Sequence, residues 1–294
     1  DASFNYPFWK IISTFGKKDQ FQYTKLNASL SSITRRDLGS TGESLFERKT
    51  MSTHYFSWLA TKWLNVGLFE STMWQTEDSN GTKPLQWQQF NPIIGVNTAT
   101  TGFNDVNHTV VGTNIKIKLP FNAVVYNQFV YDGGSKTGFQ IGAKYFGISN
   151  LTLQAEYNKV APYTYSSDLP LQAYSNYNEA IAHPSGANFN EIIGIVNYKY
   201  KRVFTQVKMN LITSKLTGSS VFASENETLP QVITRRKVNV LQAHIGFMVN
   251  PKNNMSLTIG INKRTETISS NIVNKTNYVY FGFRTNLRNL YNDF

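Results

Sequence analysis

The chain has 294 residues, 40% of them hydrophobic, 14% aromatic and only 16% charged, with a formal net charge of +11 and no cysteine. So few apolar and charged residues do not describe a soluble core of that size, whereas a barrel wall with one apolar face and a polar interior needs no more. The missing cysteine removes thiolate catalysis and cysteine-ligated zinc, and no run of about 18 apolar residues provides a transmembrane helix.

Alternation of apolar and polar residues, the period of a strand with two unlike faces, recurs along the chain. Weaker alternation marks 4–15, 20–33, 50–62 and 64–74. In 109–119, Val111, Ile115, Ile117 and Leu119 oppose Gly112, Asn114, Lys116 and Lys118. Residues 121–131 follow weakly. In 137–146, Phe139, Ile141, Ala143 and Tyr145 oppose Gln140, Gly142 and Lys144; in 150–159, Leu151, Leu153, Ala155 and Tyr157 oppose Thr152, Gln154, Glu156 and Asn158. Two more weak segments cover 191–200 and 202–213. In 239–249, Leu241, Ala243, Ile245, Phe247 and Val249 oppose Gln242, His244 and Gly246. The cleanest segment is 254–264, where Met255, Leu257, Ile259 and Ile261 oppose Ser256, Thr258, Gly260 and Asn262. The last, 276–287, sets Val279, Phe281 and Phe283 against Gly282 and Arg284, and the chain stops at the aromatic Phe294.

These roughly thirteen segments of about ten residues have membrane-spanning length. Short connections (16–18, 62–63, 120, 147–149, 201 and 250–253) alternate with longer ones (34–49, 75–108, 132–136, 161–190, 214–236 and 265–275). A soluble sandwich gives no reason for that alternation. It is the turn-and-loop pattern of an all-β, transmembrane antiparallel up-and-down barrel, with short turns periplasmic and long loops extracellular. Phe15, Trp63, Phe121, Phe146, Tyr200 and Phe204 lie beside short turns, as an interfacial aromatic girdle does. The expected location is the bacterial outer membrane, with 1–294 forming a single barrel domain. The parity of the loops predicts that at least one strand precedes Asp1 and that the final strand does not close onto 4–15. The chain would then be the C-terminal part of a larger, even-stranded barrel.

Little in the sequence points to reaction chemistry. His54, His108, His183 and His244 show no metal-ligand spacing, so no metal, cofactor or catalytic residue is expected. His183 and Ser185 lie in a loop without a GxSxG elbow, and His183 reads as shaping a turn before Pro184. Asp132-Gly133-Gly134 is a turn signal. Two basic groups, Arg35-Arg36 and Arg235-Arg236-Lys237, fall at loop ends; they are candidates to meet lipopolysaccharide phosphates or an acidic glycan, against ordinary solvation of a loop. Lys116, Lys118, Lys144 and Arg284 are expected to face the lumen. The positive charge suits phosphate-bearing lipid or acidic polysaccharide. Nucleic acid is set aside, because no basic helix or nucleic-acid-binding motif is present.

Several longer stretches are distinctive: LATKWLNVGLFES (Leu59 to Ser71), LQAEYNKVAPYTY (Leu153 to Tyr165), AHPSGANFNEIIGIVNYKYKR (Ala182 to Arg202), NPKNNMSLTIG and YFGFRTNLRNLYNDF. Together they resemble the RemB gliding-motility proteins and their relatives of the Wzi-like capsule-assembly family, found in the Bacteroidetes. The blocks that carry most of the likeness are His183, Pro184, Gly186, Ala187, Asn188 and Phe189, and Gly282, Arg284, Thr285 and Asn286. The resemblance implies a non-enzymatic surface role: a scaffold or receptor for capsular or other polysaccharide, or an accessory subunit of a gliding or type 9 secretion-linked complex. Its implied partners are outer-membrane lipid and lipopolysaccharide, surface polysaccharide and other outer-membrane proteins. A passive diffusion channel and an outer-membrane hydrolase are the alternatives.

Overall fold

The computed structural model describes residues 6–33, 46–78, 81–84, 86–103, 107–225, 234–269 and 271–285. Thirteen long strands form one sheet in strict sequence order, every neighbouring pair antiparallel. They are β1 (Phe8–Phe15), β2 (Phe21–Ile33), β3 (Phe46–Leu59), β4 (Leu64–Gln75), β5 (His108–Leu119), β6 (Ala123–Tyr131), β7 (Thr137–Tyr145), β8 (Leu151–Val160), β9 (Phe189–Tyr200), β10 (Val203–Lys215), β11 (Arg235–Asn250), β12 (Met255–Ile268) and β13 (Asn271–Arg284). Among the described residues β1 and β13 are the two edges of the sheet and do not pair with each other.

Turn chemistry accounts for the tight ends. Phe121, Asn122, Lys201 and Asn254 hold positive φ in the connections after β5, β9 and β11, where two-to-four-residue reversals require it. One expectation fails here. The span 265–275 is not a loop, because β12 runs to Ile268 and β13 restarts at Asn271 around a tight reversal with Ser269 at φ 48°. Its Thr, Ile and Val residues favour extended backbone, so the hairpin simply continues.

The sheet curls. Asn176, in the connection between β8 and β9, accepts a hydrogen bond from the Ser31 amide of β2 at 3.0 Å, and Tyr177 N donates to Ser31 O at 2.7 Å. A segment leaving the eighth strand reaches the second only across the concave side, so that side is the lumen. The cross-strand register then assigns every face, since directly paired residues share one. Outward rows include Ile245 with Ile259 and Phe281, Trp58 with Val66, and Ile117 with Val125. Phe15, Trp63, Phe121, Phe146 and Tyr200 are exposed near the short turns, as a girdle requires. Phe204 is not: its register places it inside, its ring over Gly246 and edge-on to His244.

The well-packed region lies to one side of the lumen. Residues 161–188 form an inner plug containing a two-stranded hairpin, Ser175–Asn176 with Glu179–Ala180. Tyr174 from the plug joins Ala28, Leu30, Met51, Met73, Val110 and Val130 of the wall in one buried cluster. Lys49 is fully buried, its Nζ donating to Ala173 O and Ser175 Oγ, each at 2.8 Å. Tyr174 Oη donates to Ser71 O.

Candidate functional site

The lumen face carries a set of polar networks, some beside the plug and one on β11 to β13. Three carboxylates organise it. Glu156 on β8 accepts from Tyr126 Oη, from Gln154 and, at 3.2 Å, from Gln140. Glu191 on β9 accepts from Asn158 at 2.9 Å and Asn210 at 3.1 Å, and lies 3.0 Å from His183 Nε2. Glu266 on β12 pairs with Arg236 at 2.6 Å and Arg264 at 2.8 Å and accepts from Asn274 at 3.3 Å. Glu156 pairs in register with Ile193, so Glu156 and Glu191 are diagonal neighbours on the inner face. Satisfied networks of this kind fix side-chain direction while leaving lone pairs and amide hydrogens at their rims.

Aromatic rings share that face. A Cβ on Gly142 would fall 2.3 Å from the Tyr126 ring, and one on Gly260 2.5 Å from the Tyr280 ring; the absent side chains let both rings lie flat against the wall. Lys144 Nζ sits 5.8 Å from the centre of the Tyr126 ring. Tyr278 neighbours Tyr280 and accepts from Asn262 at 2.9 Å.

The His-Pro-Ser-Gly-Ala-Asn-Phe block is the hinge through which the plug joins β9. His183 stacks on Phe189 with ring centres 4.4 Å apart, and its Nδ1 accepts the Ser185 amide at 3.1 Å. Gly186 has φ +68°, and a Cβ there would meet Ser219 O at 2.3 Å, so the block needs glycine. Asn188 closes the turn by donating to Thr217 O at 2.6 Å. Between hinge, plug and wall lies a cavity of about 300 Å³, lined in part by Gln128, Gln140, Asn158, His183, Tyr165 and Tyr174. Burial raises the hydroxyl pKa of both Tyr165 and Tyr174, so they stay protonated donors. Deeper, His108 Nε2 meets Asp132 Oδ1 at 2.6 Å and its Nδ1 meets Gln172 O at 2.9 Å, both side chains fully buried, which fixes the plug to β5 and β6.

The candidates from the sequence are distributed as follows. The register puts Lys116, Lys118, Lys144 and Arg284 on the lumen face. Of the basic group on β11, Arg236 turns inward to Glu266, while Arg235 and Lys237 are exposed on the opposite face. Arg35, Arg36 and Asn286 lie outside the described residues. Gly282 faces the lumen beside Thr258. Sequence reasoning missed the three carboxylate networks. Their only local signal was a polar residue at an inner position; what joins them is the pairing of strands.

No family model matches the chain, and no curated protein does. Among solved structures the fold is similar to that of Wzi, an outer membrane protein involved in group 1 capsule assembly in Escherichia coli and a carbohydrate-binding β-barrel. The TM-score is 0.51 at 14% sequence identity, with 88% of this chain and 54% of that chain covered. The chain therefore spans about half the length of that barrel. The likeness is one of fold: an antiparallel barrel wall built strand after strand. It matches the Wzi side of the sequence resemblance, and the RemB side has no counterpart in it.

Proposed function

We propose that the chain is a non-enzymatic outer-membrane barrel that holds surface polysaccharide in its lumen. The observation that carries this reading is the inner face of β6 to β10, where the Tyr126 ring lies flat beside the Gln140- and Gln154-held carboxylate of Glu156, one strand from the carboxylate of Glu191 held by Asn158 and Asn210. Sugar rings present apolar C–H faces that stack on such rings. Their hydroxyls donate to carboxylates and accept from amides. The fold likeness to a carbohydrate-binding barrel supports the same reading.

The test is titration of capsular-type oligosaccharides onto the purified barrel in detergent. Tyr126→Ala removes a ring and a hydrogen bond to Glu156, and Glu191→Gln removes a charge-assisted acceptor. Each should weaken binding about tenfold, the equivalent of one such interaction. Binding unchanged in both variants would sink the proposal. Accessory membership of a gliding or type 9 secretion-linked complex is a finer proposal resting on the residue blocks alone; pull-down from native membranes, reading proteins and sugars together, tests it. Liposome conductance separates the passive-channel alternative, and release of reducing ends from bound glycan separates the hydrolase.

A further inference from the structure

The outward face of β2 to β5 changes character half-way up. Near the short turns it is apolar: Trp58, Phe56, Val66 and Leu68. Farther up, the same outward rows carry Lys25, Asn27, Ser52, His54, Glu70, Thr72 and Thr109, all buried. Lys25, His54 and Glu70 stand four, five and six residues from the short-turn ends of their strands at Phe21, Leu59 and Leu64. A tilted strand climbs about 2.5 Å per residue, so these groups sit roughly 10–15 Å into an apolar band ~25 Å tall. Bare ionisable groups at that depth do not face hydrocarbon.

Residues 86–103, from the connection between β4 and β5, cover them. Gln89 O accepts from Asn27 at 2.9 Å, and Pro92 O accepts from Tyr23 Oη, which also reaches His54 Nδ1. Lys25 Nζ is 2.7 Å from His54 Nε2. The Glu70 carboxylate receives the Gly95 amide at 2.8 Å, the Thr98 amide at 2.7 Å and the Thr98 hydroxyl at 2.6 Å, holding the first turn of α1 (Val96–Thr101) against the wall. Of the segment's own polar side chains, Gln89, Asn91 and Asn97 are buried toward the barrel. Three of its apolar ones point away: Trp87 is 61% exposed, Phe90 53% and Ile93 61%. From Pro84 to Phe103 the sequence contains no charged residue. An extracellular loop facing water has no reason to turn its amides inward and its rings outward over twenty uncharged positions. A surface facing lipid does.

We infer that residues 86–103 are a strap lying within the membrane on the outside of the barrel. Trp87, Phe90 and Ile93 meet lipid, and the strap insulates Lys25, His54 and Glu70 from it. Its apolar surface continues the lipid-facing rows of the wall below. This inference rests on the membrane-spanning reading, and the experiment separates the two.

Because the chain has no cysteine, single substitutions carry one fluorophore each. Trp87→Cys, Phe90→Cys and Ile93→Cys are compared with Ile259→Cys on the bare wall and Lys252→Cys in an exposed turn, all in the whole chain reconstituted into phosphatidylcholine vesicles. Quenching is read with doxyl-labelled lipid and with aqueous iodide. The expected result is loss of strap fluorescence to doxyl lipid comparable to that at Ile259, and iodide quenching far below that at Lys252. Strap probes quenched by iodide, with Ile259 quenched by lipid, overturn the strap. Strap probes shielded from both also overturn it, because protein rather than lipid would cover them. Absence of lipid quenching at Ile259 as well would reject the membrane reading itself.

Discussion

On β9 to β13 the outward face stays apolar through the middle of the strands: Ile192, Val196, Val207, Ile245, Phe247, Ile259 and Phe281 all face out and are exposed. On β2 to β5 the outward face is apolar near the short turns, and above them Lys25, His54 and Glu70 are buried under residues 86–103. The inner side of that same stretch is buried too, against the plug. One half of the wall is a single layer between lipid and lumen; the other is the middle of three. The difference teaches that alternation records what a strand touches rather than which way it faces. Where a wall is bare, one face must be apolar. Where the chain supplies its own cover on both faces, either face can be polar, provided its ionisable groups find partners, as Lys25, His54 and Glu70 do.

The sharpest way to break this comparison is to place charge on each wall. Ile259→Arg or Ile245→Arg on the bare half should destabilise the barrel by about 2–4 kcal/mol, read as a shift in urea unfolding from lipid vesicles. Thr258→Arg, one residue away and flanked across the strands by Gly246 and Gly282, faces the lumen and should lose much less. Equal losses at 258 and 259 would refute the assignment of faces. On the covered half, Glu70→Ala removes the acceptor of two amides and a hydroxyl; the expected cost is about 1–3 kcal/mol. Faster hydrogen exchange at Gly95 and Thr98 should accompany it, with unchanged exchange in β11 and β12. Protection at both amides retained in this variant would mean that Glu70 does not hold the strap.

A smaller effect is expected on the inner layer. Tyr174→Phe deletes the hydrogen bond to Ser71 O but keeps the ring in its cluster, and should lower stability by roughly 1 kcal/mol. A loss several times larger would mean that the plug is held at this one point. The mildest test reads only orientation. A short epitope inserted within 226–233 should be labelled on intact cells, and one at Lys252 should not. Reversed labelling would invert the barrel and place strap and plug at the inner end of both walls.

Thirteen strands and their order were legible because period-two alternation is written into adjacent residues, and short turns carry asparagine, glycine and lysine at positive-φ positions. The outward rows of 239–249, 254–264 and 276–284 were legible for the same reason. Segments 20–33, 50–62 and 64–74 alternate weakly, and the structure explains the weakness: Ala28, Leu30 and Met51 face the plug, while Lys25, His54 and Glu70 face the strap. Phe204 was misplaced because an aromatic beside a turn looks the same from either face, and only its pairing with Gly246 puts it inside.

By itself, then, the sequence determined the strand count, the meander and the bare half of the lipid-facing surface, all local properties of neighbouring residues. Only the tertiary structure decided which connection fills the lumen and which lies along the outer wall, and how three carboxylates acquire their partners. Those contacts join Ser31 to Asn176 across 145 residues and Glu70 to Thr98 across 28. No periodicity spans such separations; they exist because curling the sheet brings distant segments to the two faces of the same strands.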